Sequence, residues 1–274
     1  MHPPLRTPLR LPLLAAVLSA LLLSGAPAPV HAGRSCAAHQ PTAQSVQRGM
    51  ELAQRTAVAL DASGAQVVLL GRAGQNLQQY GLRYSHLGWA YRNEAGLWRV
   101  AHKLNTCGTA VADVYRQGLG EFFLDDLWRY EAVWAVPTPA VQQQLLALLR
   151  SRDRTLALHQ RPYNMVSYVW SSKYQQSNQW ALETLALAME PASITTRDQA
   201  QAWLQFKGYT PTVLKINSLK RLGARASAAN IAFDDHPNDQ RFSGHIATTT
   251  VDSALAWMTR AQLAGAPVVL SLGY

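Results

Sequence analysis

Hydrophobic positions along the chain predict helices and strands in separate runs. A stripe of helical period begins at Val46 and ends at Leu60, before Gly64, and short apolar runs typical of strands follow it. The predicted strands cover residues 67–70, 83–91, 97–104, 130–136, 213–216 and 228–233, and the predicted helices cover 46–60, 141–148, 177–189, 199–206 and 252–263. Segregated helices and antiparallel hairpins predict an α+β fold rather than a doubly wound parallel sheet.

The first 32 residues have the pattern of a secretory signal peptide. Arg6 and Arg10 precede an apolar run of 13 residues. Val30-His31-Ala32 fits the A-x-A-like pattern of small residues at which signal peptides are cleaved. The run is shorter than the ~20 residues that span a bilayer, so cleavage is favoured over a retained anchor. We therefore predict a periplasmic or secreted protein that begins at Gly33.

Composition narrows the class of partner. The chain has 274 residues, of which 48% are hydrophobic and 15% are charged, and its formal net charge is +9. These values exclude a disordered tail and a polytopic membrane protein. No compact run of Lys or Arg predicts nucleic-acid binding, so the basic balance points to an envelope peptide, glycan or lipid, and contact with a membrane surface is left open.

No cofactor and no metal site are expected, because Asp234-Asp235-His236 matches a polar turn better than a calcium loop.

The two cysteines, Cys36 and Cys107, both follow the predicted cleavage site. An even number of cysteines in an oxidising compartment favours one disulfide, which would tie the new N-terminus to the fold. Two unpaired core thiols are the alternative.

A hairpin carries the first candidate chemistry. Alternation along the strand puts His86 beside Gly88 and Ala90 on one face. If a five-residue turn pairs Tyr91 with Leu97, His86 lies directly opposite His102, with Cβ atoms about 5 Å apart. One imidazole could then serve as a general base and the other could orient it, whereas two ordinary strand histidines are the alternative.

Ser177 stands where a predicted helix begins. The backbone N–H groups and the positive end of the helix dipole suit an attacking oxygen and an oxyanion. They suit a simple N-cap equally well.

Several of these stretches resemble a family of exported bacterial proteins known as domain of unknown function 2145. The resemblance covers essentially the whole chain after the signal peptide and names no activity. It is carried by GRSC at 33–36, RYSHLG at 83–88, HKLNTCGT at 102–109, YRQGLGEFF at 115–123, SNQW at 177–180 and NIAFDDHP at 230–237.

A second resemblance suggests a mechanism. The order Tyr-Ser-His-Leu-Gly on a strand, a polar residue on the next strand and a nucleophile at a later helix start is similar to circularly permuted NlpC-like hydrolases of the papain fold. The resemblance implies that His86 is the base, that His102 orients it and that Ser177 occupies the position of the family's cysteine. A serine depends wholly on its base, so this departure either slows acyl transfer or removes it.

Together these observations predict a papain-like core at 33–191, with an antiparallel sheet packed against helices, and a C-terminal α/β extension at 192–274 on the same domain. The expected function is hydrolysis or acyl transfer on an amide or ester of the envelope, in a cleft lined by Tyr84, Trp170 and Trp180. A non-catalytic module that binds a peptide or glycan in the same cleft is the alternative.

Overall fold

The computed structural model describes residues 40–273, apart from the side chains of residues 226 and 227. The predicted signal peptide and Cys36 lie outside the described residues. Cleavage after Ala32 and the disulfide between Cys36 and Cys107 therefore stay predictions.

A six-stranded antiparallel sheet forms the centre of the fold, with the strand order β4-β3-β2-β1-β5-β8. Every neighbouring pair in it is antiparallel. The strands are β1 (Val67–Ala73), β2 (His86–Arg92), β3 (Trp98–Asn105), β4 (Ala112–Gln117), β5 (Arg129–Ala135) and β8 (Val268–Ser271). A separate two-stranded sheet pairs β6 (Thr212–Lys215) with β7 (His245–Thr248).

Helices cover both faces of the main sheet, which explains why β1 is buried along its whole length. The helices are α1 (Ala43–Ala62), α2 (Leu119–Phe123), α3 (Pro139–Arg150), α4 (Arg152–Leu156), α5 (Ser177–Met189), α6 (Arg197–Phe206), α7 (Ser218–Ser227), α8 (Asn238–Ser243) and α9 (Val251–Arg260). One face, including Leu70 and Ala90, packs against α1 and α2. The other, including Leu69 and Trp89, packs against α3, α5 and α9. The predicted α+β class with an antiparallel sheet packed against helices is confirmed.

The C-terminal part of the chain shares this sheet and core. β8 pairs with β5 at the sheet edge, and Val251 and Trp257 of α9 lie in the same hydrophobic cluster as Trp180 of α5. A fully buried helix such as α5 belongs at the centre of a core, where it touches several other elements.

The predicted hairpin register is wrong by two positions. Trp89 pairs with Ala101 and Tyr91 with Arg99, so Tyr91 does not face Leu97. Asn93 causes the difference, because its N–H donates to Leu97 O at 3.0 Å and its Oδ1 accepts from Leu97 N at 2.8 Å. These bonds close a three-residue loop that ends at Gly96, whose φ of 74° lies in the left-handed region.

The pattern also missed or misassigned several elements. The strand predicted at 228–233 is wrong, since these residues follow the end of α7 and form a turn and a loop. β4, β7, β8, α2, α4, α7 and α8 have no counterpart in the prediction. Most are six residues or shorter, and periodicity is a weak signal over so few positions.

Candidate functional site

Two histidines meet on the sheet face that is covered by α1 and α2. His86 Nε2 lies 2.8 Å from His102 Nδ1, and His102 Nε2 lies 2.7 Å from Oε1 of Gln117 on β4. His102 is fully buried and His86 is half-buried. Because a shift of two positions preserves the face of every side chain, both histidines remain on the face that alternation predicted. We call His86, His102 and Gln117 the histidine relay.

Hydrogen-bond chemistry fixes the direction of the relay. The amide oxygen of Gln117 can only accept, so Nε2 of His102 carries the proton. Burial, helped by the positive charge of Arg72, lowers the pKa of His102 to about 3, so this ring is neutral near pH 7. Nδ1 of neutral His102 therefore accepts from Nε2–H of His86, and the acceptor of neutral His86 is its Nδ1.

Gly88 leaves the space that His102 needs. A Cβ atom at Gly88 would lie 2.6 Å from Val100 Cγ1 and 3.0 Å from His102 Cβ, both closer than side chains tolerate. Continuing the observed register one step past Trp89 and Ala101 puts Gly88 opposite His102. The glycine thus allows the imidazole of His102 to stand between the strands and reach His86 diagonally.

Aromatic and charged groups of β1 and α2 surround the relay. The Phe122 ring centroid lies 5.9 Å from that of His86 and 5.2 Å from that of His102. Arg72, which pairs with His86 across β1 and β2, is buried and donates to Phe122 O and to the Asp125 carboxylate. The sequence prediction missed Arg72, although a lone arginine in an apolar strand was a usable signal.

Ser177 reaches the sheet from the other face. Its Oγ donates to Lys103 O at 2.6 Å, and Oδ1 of Asn178 accepts from Leu87 N at 2.9 Å. The pairing of β2 and β3 stops at Trp89 and Ala101, although the same register would bring Leu87 opposite Lys103. The first turn of α5 therefore supplies hydrogen bonds to both strands where they separate.

The structure brings His86 and His102 together and does not bring Ser177 to them. α5 packs against the side chains of the opposite sheet face, where Trp89 Nε1 donates to Ala181 O at 2.9 Å. Successive strand residues point to opposite faces, so the imidazoles of His86 and His102 point away from α5. Ser177 is also not the N-cap, since α5 begins at Ser177 and Gln176 precedes it as the cap. The expected row of Ser177, His86 and His102 is not formed.

The three aromatic residues expected to line a cleft lie on the α5 side of the fold. Tyr84 and Trp180 are buried in the main core, and half-buried Trp170 packs edge-on against Tyr209 with ring centroids 6.1 Å apart. The side chains of Tyr84 and Trp180 fill the core between the sheet and the helices, so the cleft that they were expected to line is not formed by their exposed surface.

A buried polar network lies beside the start of α5, and the sequence prediction missed it. Lys103 Nζ donates to Gln160 O and, at 2.8 Å, to Gln175 Oε1. Burial, with a smaller contribution from the nearby charge of Arg197, lowers the pKa of Lys103 to about 7. Glu183 accepts from Gln175, Arg197 and Gln201 and forms a buried ion pair with Arg197.

The acidic stretch at 234–236 has the structure of a turn, as expected. Asp234 forms an ion pair with Lys173 at 2.7 Å, and the buried Asp235 Oδ1 lies 3.0 Å from His236 Nδ1. Among residues 40–273 no group of three or more His, Cys, Asp or Glu side chains could hold a metal ion. Over the same residues no helix is both long enough and apolar enough to cross a bilayer.

These features define an α+β protein with a histidine relay on one face of its sheet. A family model described as an uncharacterized protein conserved in bacteria (DUF2145) matches residues 59–258, so the chain belongs to this bacterial family, as its motifs predicted. No curated protein and no solved structure matches the chain. The resemblance to NlpC-like hydrolases stays a prediction.

Proposed function

We propose that the chain is an exported hydrolase- or acyltransferase-like protein in which His86 is the general base for an amide or ester of the cell envelope. The observation that carries the proposal is the relay itself, with contacts of 2.8 Å from His86 to His102 and 2.7 Å from His102 to Gln117. A buried neutral ring that accepts from a half-buried one orients the second ring and stabilises its protonated form. The papain-like arrangement of the core is part of this proposal.

The proposed reaction uses water, or a hydroxyl or amine of a second substrate, as the nucleophile. Nδ1 of His86 takes the proton, the oxygen or nitrogen adds to the carbonyl carbon, and the leaving group departs with that proton. Ser177 is not assigned this role, because its hydroxyl donates to Lys103 O from the opposite face. General-base catalysis of this kind contributes roughly 10²–10⁴ in rate.

A series of 4-nitrophenyl esters and 4-nitroanilides, assayed with the purified chain, tests the proposal. We expect His86→Gln to lower kcat/KM about a hundredfold and His102→Gln to lower it less, because the first removes the base and the second its support. His245→Gln is the matched control, since His245 is exposed and its ring bonds only to Ser243 among the described residues. Turnover by folded His86→Gln at the wild-type rate would overturn the role of His86.

A fluorophosphonate probe tests the nucleophile separately. We expect no labelling that depends on Ser177, so the wild-type chain and Ser177→Ala should give the same signal. Labelling that disappears in Ser177→Ala would make Ser177 the nucleophile and would contradict the assignment to water.

A second candidate function is a non-catalytic module that binds an envelope peptide or glycan. The commitment of the Ser177 hydroxyl to Lys103 O favours it, because a serine at the cysteine position then has a structural use. Soluble peptidoglycan fragments that shift the NMR signals of His86, with no turnover of any ester or anilide, would favour this function over catalysis.

A further inference from the structure

Helix α7 turns its apolar side outward. Leu219 and Leu222 are 83% and 71% exposed, and their spacing of three places them on one side of the helix. The guanidinium of Arg221 is half-buried instead and lies 6.0 Å from the centre of the Phe233 ring. A surface helix normally buries its apolar stripe, so this orientation indicates that another molecule covers the leucines.

Helix α8 carries another exposed apolar side chain, and the segment after this helix is bonded to the segment before α7. Ile216 N donates to Gly244 O at 2.9 Å, which joins the segment before α7 to the segment after α8. Gly244 has a φ of 76°, and a Cβ atom there would lie 2.7 Å from Ile216 O, so the contact is close. Phe242, two residues before Gly244, is 72% exposed. We call Leu219, Leu222 and Phe242, with the cations that flank the leucines, the α7–α8 surface.

Exposed cations flank the two leucines of α7 along the chain, whereas α8 contributes one acid, Asp239, and one cation, Arg241. Lys215, Lys220 and Arg225 are exposed, and none of them forms an ion pair within the part of the chain that the structure describes. The sequence contains no Asp or Glu between Asp198 and Asp234. The charge of α7 is therefore not compensated by acidic residues of its own segment.

We propose that the α7–α8 surface docks on an anionic lipid bilayer. Exposed apolar side chains flanked by Lys and Arg are the combination that holds a helix at a membrane interface, with apolar groups below the headgroups and cations among them. Each cation near an anionic surface strengthens binding by about fivefold. A neutral protein partner would bury the leucines but would offer no negative charge to the cations. Charge complementarity therefore favours the bilayer.

Hydrogen exchange on the purified chain locates the contact. With vesicles of phosphatidylglycerol and phosphatidylcholine, we expect slower exchange at 218–225 and 240–244, and no change with phosphatidylcholine alone. Protection should fall as salt rises, because screening weakens the charge term. Unchanged exchange in both segments would overturn the proposal, and so would equal protection by the two lipid compositions.

Sedimentation of variants with the same vesicles measures how much the apolar side chains and the cations each contribute to binding. We expect Leu219→Ser/Leu222→Ser and Lys220→Glu/Arg225→Glu each to lower the bound fraction about tenfold or more at limiting lipid. Val58→Ser and Arg152→Glu/Arg260→Glu are matched controls, as these exposed residues lie on α1, α4 and α9. Full binding by either α7 variant would contradict the proposal. A dimer in solution that Leu219→Ser/Leu222→Ser dissociates would also overturn it, in favour of a second copy as the occupant.

Discussion

His86 Nε2 and His102 Nδ1 lie 2.8 Å apart, although the two residues are not directly opposite each other in the hairpin. The register continues to Gly88 opposite His102, and the absent side chain of Gly88 lets the two rings meet diagonally. The relay therefore depends on a glycine as much as on its histidines.

Gly88→Ala should destabilise the fold and separate the two imidazoles. The added methyl group would lie 2.6 Å from Val100 Cγ1, and such overpacking of a core costs about 1–3 kcal/mol of unfolding free energy. Urea denaturation measures the loss. Gly265→Ala is the control, because the nearest atom to its Cβ is 4.0 Å away. Equal stability of Gly88→Ala and the wild type would show that the strands tolerate a side chain between them.

Ser177→Ala should cost stability, because it leaves Lys103 O without its donor at the point where β2 and β3 separate. An unsatisfied buried carbonyl costs about 1–3 kcal/mol of unfolding free energy. Ser243→Ala, at an exposed hydroxyl that bonds to Gln240 O, should change stability by less than about 0.5 kcal/mol. Thermal or urea unfolding compares the two variants, and a Ser177→Ala chain as stable as wild type would refute the structural role of this hydroxyl.

The stability of the wild-type chain should rise between pH 7 and pH 9 because of Lys103. The folded-state pKa of Lys103 is lowered to about 7, so over this range the unfolded chain binds the proton and the folded chain releases it. The linkage relation then gives an increase of about 2 kcal/mol in unfolding free energy. Urea titrations at the two pH values measure it.

Two variants assign that pH dependence. Lys103→Met should flatten the rise, because it removes the titrating group. Lys173→Met should preserve it, since Lys173 is exposed and its pKa is raised by Asp234. A slope that survives in Lys103→Met would mean that another group is responsible.

Glu183→Gln and Asp234→Asn compare a buried ion pair with an exposed one. Removing the charge of Glu183 leaves the guanidinium of Arg197 uncompensated in the core, which costs about 3–5 kcal/mol. Asp234 and Lys173 are 41% and 50% exposed, so Asp234→Asn should cost less than about 1 kcal/mol. Similar losses of unfolding free energy in the two variants would contradict the burial of the Glu183 pair.

Because the assumed hairpin register was off by two positions and not by one, His86 and His102 share a face as predicted from alternation along the strands. The exact pairing was not predictable from it, because Asn93 extends the ladder through its own side chain and shortens the loop. The pattern also could not predict from which face of the sheet Ser177 approaches. That face depends on how α5 docks, for example on the bond from Trp89 Nε1 to Ala181 O, and such tertiary contacts leave no local signal.

The orientation of helix α7 was not predictable from its sequence either. Its leucines have helical spacing, but an amphipathic pattern gives no sign of whether the apolar side faces the core or the solvent. The sequence could have indicated that Arg72 has a specific partner, since a charged residue in a buried strand needs one. Its partners, Phe122 O and Asp125, come from a short helix and the loop after it, which periodicity did not predict.

The most direct test of the histidine relay is ¹⁵N NMR of the imidazole nitrogens between pH 8 and pH 5, with His102→Gln used for assignment. Because the pKa of His102 is lowered to about 3, its ring should stay neutral throughout, with the proton on Nε2 and an accepting Nδ1. A ring of His102 that titrates near pH 6.5, or that carries its neutral-state proton on Nδ1, would contradict the relay and the proposal that His86 acts as its base.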